Sequence, residues 1–177
     1  MMTEKEIRKL IQSGETITLL SKYFAQQPDQ LDILIKIAFD DSETFTWRAA
    51  WMIDKIHEEN PELIIPYFPA ITEFVLHTKN SGKRRHFLKM LSLHDIPDEN
   101  MALLLNFASD IFSDASEPVA VRVHAMQILF GIALKEPDFS GELIELIEHE
   151  IEYYGSAGIA SRGRKLLKKL YSQRKSC

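Results

Sequence analysis

The chain has 177 residues and a formal net charge of −5, with 45% hydrophobic and 27% charged residues. That length supports one substantial core, and that balance excludes a disordered chain. Seven glycines are too few for an all-β chain of many tight turns, and no apolar run approaches the ~18 residues of a membrane span.

The single cysteine, Cys177, is the last residue, so no disulfide framework or cysteine metal site is expected. The N-terminal MMTEKEIRKLI contains acidic residues and no continuous apolar stretch, so no signal peptide is expected. The expectation is a cytoplasmic protein without membrane association. The net negative charge argues against a general nucleic-acid binder.

Periodicity predicts helices throughout. Thr3 to Ser13 reads as a short helix broken at Gly14, and Ile17 to Gln27 as a second ending at Pro28. Paired helices follow. Asp29 to Asp40 is the first A helix, and Thr44 to about Glu58 its B partner. That B segment, TFTWRAAWMIDKI, is apolar on two sides: Phe45, Ala49, Met52, Ile53 and Ile56 on one, Trp47, Ala50 and Trp51 on the other, with Asp54 beside them. Such a helix requires neighbours on both flanks. Asn60-Pro61 signals the next start, and Pro66 and Pro69 predict a break early in the second A helix, 61–77. Asn80-Ser81-Gly82 reads as a turn before the second B helix, 83–94.

Asp98 to Phe112 is the third A helix. Ser116-Glu117-Pro118 caps a very apolar third B helix, Val119 to Lys135. Glu142 to Tyr154 is the fourth A helix. Gly155-Ser156 reads as a helix stop and an N-cap for the last B helix, which ends near Tyr171.

Each B helix carries arginine in its first turns, at Arg48, Arg84, Arg122 and Arg162, spaced by 36, 38 and 40 residues. A helical hairpin recurring at this period is a solenoid signature, because one hairpin cannot bury its own apolar face. With Asp40-Asp41 before Arg48 and Asp114 before Arg122, the chain resembles the HEAT and armadillo-like helical-repeat family. The resemblance implies an all-α, α-α superhelix of about four hairpins with an N-terminal helical cap. It is read here as one domain over 1–177: a cap at 1–27, repeats at 28–60, 61–96, 97–136 and 137–172, and a frayed tail at 173–177. It implies no cofactor.

Arg122 shares a stripe with Val119, Met126, Leu129 and Ala133, so it needs a carboxylate, from Asp114 or the adjacent repeat. Arg48 is expected on Asp40 or Asp41 for the same reason. Trp47, Trp51 and Asp54 are similar to the constellation with which HEAT-like DNA alkylation-repair glycosylases stack a flipped base and stabilise a cationic sugar. The structural alternative makes the tryptophans inter-repeat packing and pairs Asp54 with Lys55, Arg84 or Arg85. The six histidines form neither an i, i+4 pair nor an HExxH motif, so no metal site is expected. No phosphate-binding or nucleophile-elbow motif is present.

Charge is the strongest functional clue. The B segments hold 15 Lys and Arg against 2 Asp and Glu, and the remainder 6 against 24. Lys83, Arg84, Arg85, His86 and Lys89 form one cluster, and Arg162, Arg164, Lys165, Lys168 and Lys169 another. On a common concave face these would bind an acidic partner; alternatively, Asp and Glu of neighbouring layers neutralise them. The reading favoured is a non-enzymatic scaffold that binds an acidic protein or peptide on its B helices. A nucleic-acid binder or enzyme using Trp47, Trp51 and Asp54 comes second, and a self-associating subunit third.

Overall fold

A computed structural model describes residues 2–174; Cys177 lies outside the described residues. Among the described residues the chain is all-α, with ten α-helices, several short 3-10 turns and no strand. The helices are α1 (Glu4–Gln12), α2 (Ile17–Ala25), α3 (Leu31–Ala38), α4 (Trp47–Glu59), α5 (Phe68–His77), α6 (Ser81–Leu91), α7 (Asp98–Ser113), α8 (Val119–Lys135), α9 (Ser140–Tyr154) and α10 (Ala157–Arg174).

Local chemistry explains most boundaries. Thr3 and Glu6 close a capping box on α1: the Thr3 N–H donates to Glu6 Oε2 at 2.7 Å, and the Glu6 N–H to Thr3 Oγ1 at 3.4 Å. Gly14 then turns the chain at a φ of 86°, a left-handed value that glycine adopts without steric cost. The expected proline break is present. Two 3-10 turns, Pro61–Leu63 and Ile65–Tyr67, precede α5, and Pro66 and Pro69 each fall in the opening positions of a new element. The Ser156 hydroxyl accepts from the Ile159 N–H at 3.3 Å, as an N-cap should. A Cβ at Gly155 would lie 2.2 Å from the Ile151 carbonyl oxygen, so the turn from α9 into α10 requires glycine.

Other boundaries differ from expectation. Asn80 is a cap rather than a turn residue: its Oδ1 accepts from the Lys83 N–H at 3.1 Å, and Ser81 and Gly82 already belong to α6. Asn60 and Pro118 supply no side-chain cap. Ser116 instead donates from its N–H and hydroxyl to Asp114. The last helix runs on to Arg174, past its expected end near Tyr171.

The chain divides into two compact units, residues 1–90 and 91–177. In the first, α1 packs on α3 and α2 on α4, so the two N-terminal helices occupy the places of another hairpin. Helix α4 also packs on α3, and His86 and Lys89 of α6 reach it from a further side. Two-sided burial follows: Ala49, Ala50, Met52, Ile53 and Ile56 are all at most 1% exposed.

In the second unit α7 and α8 form one hairpin and α9 and α10 another, with α8 also against α9 and α10. Helix α8 has apolar residues all round, which demands neighbours on several sides. Nine of its 17 residues are buried. Arg122 is among them. Its Nε donates to the Phe112 carbonyl at 2.8 Å and its Nη2 to Glu150 of α9, with both side chains at most 4% exposed. The expected carboxylate therefore comes from the next hairpin. Arg48 departs from expectation and donates to the Glu15 carbonyl at 2.7 Å. The carboxylates assigned to it are engaged elsewhere, Asp40 by Arg8 at 2.9 Å and Asp41 by Lys83 at 2.7 Å.

Candidate functional site

The two basic clusters occupy different environments. On α6, Lys83 lies at the i, i+4, i+7 spacing of Phe87 and Met90, and all three are fully buried. Its Nζ donates to the Asp40 carbonyl at 2.6 Å and to Asp41 Oδ1 at 2.7 Å, and lies 5.7 Å from the Phe74 ring centroid. A buried ammonium needs such a set, because desolvation otherwise opposes its charge.

His86 and Lys89 point at α4. His86 Nδ1 is 2.8 Å from Asp54 Oδ2, and Lys89 Nζ donates to Asp54 Oδ1 at 2.9 Å and also to Glu58. Arg84 donates to the Thr78 carbonyl at the end of α5, where a cation complements the helix dipole. Arg85 is the exposed cation of this cluster.

Asp54 is 2% exposed. Burial alone would raise its pKa; the hydrogen bonds from His86 and Lys89 outweigh that and hold it below the usual carboxylate value. Burial pulls Lys89 down, but Glu58 and Asp54 more than offset it and the ammonium is raised. Asp54 thus pairs with residues one repeat away, not with Lys55, which bonds Glu58. Above it, Trp47 and Trp51 stack with centroids 5.8 Å apart, and Trp51 lies on the His86 ring at 6.1 Å. The indoles are half-buried, and the carboxylate beneath them faces the His86 ring and the Lys89 ammonium.

The α10 cluster faces outward. Ile159, Gly163, Leu166 and Leu170 form its buried stripe, which leaves Arg162, Arg164, Lys165, Lys168 and Lys169 exposed. Gly163 lets the helix approach closely, since a Cβ there would sit 2.8 Å from Ile151 Cδ1. Among the described residues none of the five cations forms an ion pair with a carboxylate. Arg162 donates to Gln127 Oε1 at 3.0 Å, and Lys169 Nζ lies 5.7 Å from the Phe130 ring centroid.

All of these cations but Arg164 border a furrow between α8 and α10. One hollow of about 500 Å³ is lined by Gln127, Arg162, Lys165, Lys168 and Lys169. It shares Arg162 and Lys165 with a second, of about 460 Å³, at Val119 and Val123. It shares Lys169 and Ser172 with a third, also about 460 Å³, at Phe130 and Leu134. The α8 floor was not singled out in the sequence. A signal existed, because α8 carries more apolar residues than its neighbours cover: Val119 is 41% and Leu134 49% exposed.

Among the described residues no group of His, Cys, Asp or Glu is placed to hold a metal ion, and no helix is long and apolar enough to cross a membrane. A family model described as a HEAT repeat domain matches residues 3–170. No curated protein matches the chain, and no solved structure does.

Proposed function

Because the chain belongs to the HEAT repeat domain family, we propose that it is a protein-interaction module whose binding surface is the α8–α10 face and whose partner is an acidic protein. One observation carries this reading: Arg162, Lys165, Lys168 and Lys169 of α10 are exposed, unpaired with any carboxylate among the described residues, and set along a furrow. Binding there demands no catalytic residue. Positive potential along a groove raises encounter rates with an acidic surface.

The α6 cluster is a poor second surface, because Lys83, His86 and Lys89 already engage Asp41, Asp54 and Glu58. The same pairs weigh against a glycosylase-like role for Trp47, Trp51 and Asp54. A carboxylate enclosed by an imidazole and an ammonium is poorly placed to stabilise a cationic sugar.

The test compares the wild-type protein with R162E/K165E/K169E as bait, each with and without nuclease treatment. A nuclease-resistant protein partner lost on charge reversal supports the proposal. Identical capture by both baits would count against it, and capture abolished by nuclease would point to nucleic acid.

A further inference from the structure

We infer that the α8–α10 furrow accepts one amphipathic helix from the partner, bearing acidic residues three and four positions apart beside an apolar row; this rests on the binding surface proposed above and specifies its occupant. Arg162, Lys165 and Lys169 follow one another at steps of three and four residues, or about 4.5 and 6 Å along the helix axis. A partner helix repeats its side chains on one face at those same steps. An extended strand presents them at about 6.7 Å, so across three cations it would overrun their ~10.5 Å span by roughly 3 Å. The register of the cations therefore matches a helix.

The floor agrees. Along α8 the furrow is lined by Val119, Val123, Phe130 and Leu134, with His124 and Gln127 as its polar members. The 17 residues of α8 extend about 25 Å, room for four turns of a partner laid alongside. An apolar row beside a cationic row complements a helix that is apolar on one strip and acidic on the next.

A single-stranded nucleic acid fits less well. It would need exposed aromatic faces for its bases, whereas Phe130 is 5% exposed with Lys169 over its ring. The most exposed floor residues, Val119 and Leu134, offer a base neither stacking nor hydrogen bonds; the polar His124 and Gln127 are half-buried, and Gln127 already accepts from Arg162.

The probe is a fluorescein-labelled peptide of about 18 residues, long enough for five turns, with Glu at alternating three- and four-residue steps and Leu on the adjacent strip. A second peptide has the same composition shuffled so that no face forms; a third keeps the order but carries a central proline. Anisotropy titrations with the full chain should show the first peptide binding at least roughly tenfold more tightly than either control. K165E/K169E and, separately, L134E should each weaken it by a similar factor with circular dichroism unchanged. L134E probes the floor without touching a cation.

Equal binding of all three peptides, lost in K165E/K169E, would overturn the helix while leaving the acidic-partner surface standing. No binding of any peptide would overturn both. A 20-nucleotide single strand binding more tightly than the first peptide, or self-association on light scattering that K165E/K169E abolishes, would replace the partner helix with nucleic acid or a second copy of the chain.

Discussion

Helices α6 and α10 read alike in the sequence: each carries a cluster of five basic residues, counting His86 and leaving aside Arg174 at the end of α10, on the second member of a hairpin. Their surroundings separate them. Lys83, His86 and Lys89 of α6 meet Asp41, Asp54 and Glu58 one repeat earlier, whereas the clustered cations of α10 form no ion pair with a carboxylate among the described residues. A cation that is buried and paired holds neighbouring layers together, while one left in water contributes almost nothing to folding and stays available to a partner. Lys83 has no solvent exposure, and the α10 residues are exposed.

The largest effects should come from breaking buried pairs. Arg122→Ala strands Glu150 and frees the Phe112 carbonyl, and should cost about 3–5 kcal/mol in urea unfolding. Arg122→Lys should recover only part of that, because the donors of an ammonium share one nitrogen, whereas Nε and Nη2 of the guanidinium reach two acceptors from separate atoms of a fixed fork. Lys83→Ala should cost about 3 kcal/mol, since Asp41 remains hydrated in part, being 43% exposed. A loss below about 1 kcal/mol in both would remove the distinction between the two clusters.

A smaller effect is expected at the last turn. Gly155→Ala places a methyl group against the Ile151 carbonyl oxygen and should lower stability by about 1–3 kcal/mol. An unchanged melting temperature would show that this turn relaxes freely.

Acid should weaken the first unit through its paired carboxylates. The Ser42 hydroxyl and N–H, and then Arg8, hold Asp40 down to about 2, against about 4 in the unfolded chain. A depressed folded-state value contributes stability that is complete above pH 4 and is lost as pH falls through about 2. Asp54 is lowered too and acts in the same direction. Asp40→Asn should therefore flatten the fall in urea midpoint between pH 4 and 2; an equally steep fall in the variant would assign the acid sensitivity to other groups.

The smallest stability changes belong to α10. Lys165→Glu and Lys169→Glu should each alter unfolding free energy by no more than about 0.5 kcal/mol, while moving partner binding as described above. A substantial loss of stability in either would mean that these side chains support the fold and are not free for a partner.

How much of this was legible follows from individual residues. The burial of Arg122 could be read from its stripe, because a cation among Val119, Met126 and Leu129 has to enter the core with an anion. That the anion is Glu150 could not, since it depends on which turn of α9 faces α8. The burial of Lys83 was equally readable, for Phe87 and Met90 share its spacing. It was obscured by its basic neighbours, which suggested one solvent-facing patch. Asp54 finding His86 and Lys89, 32 and 35 residues away, was legible only as the approximate repeat length.

The sequence by itself determined the helices, most of their breaks, and the family, because periodicity, capping and proline act within a few residues along the chain. Only the tertiary structure decided which charges are neutralised and which remain exposed. Charge pairing depends on distances of a few ångströms between residues one repeat apart, and those are set by how each hairpin rests on the next.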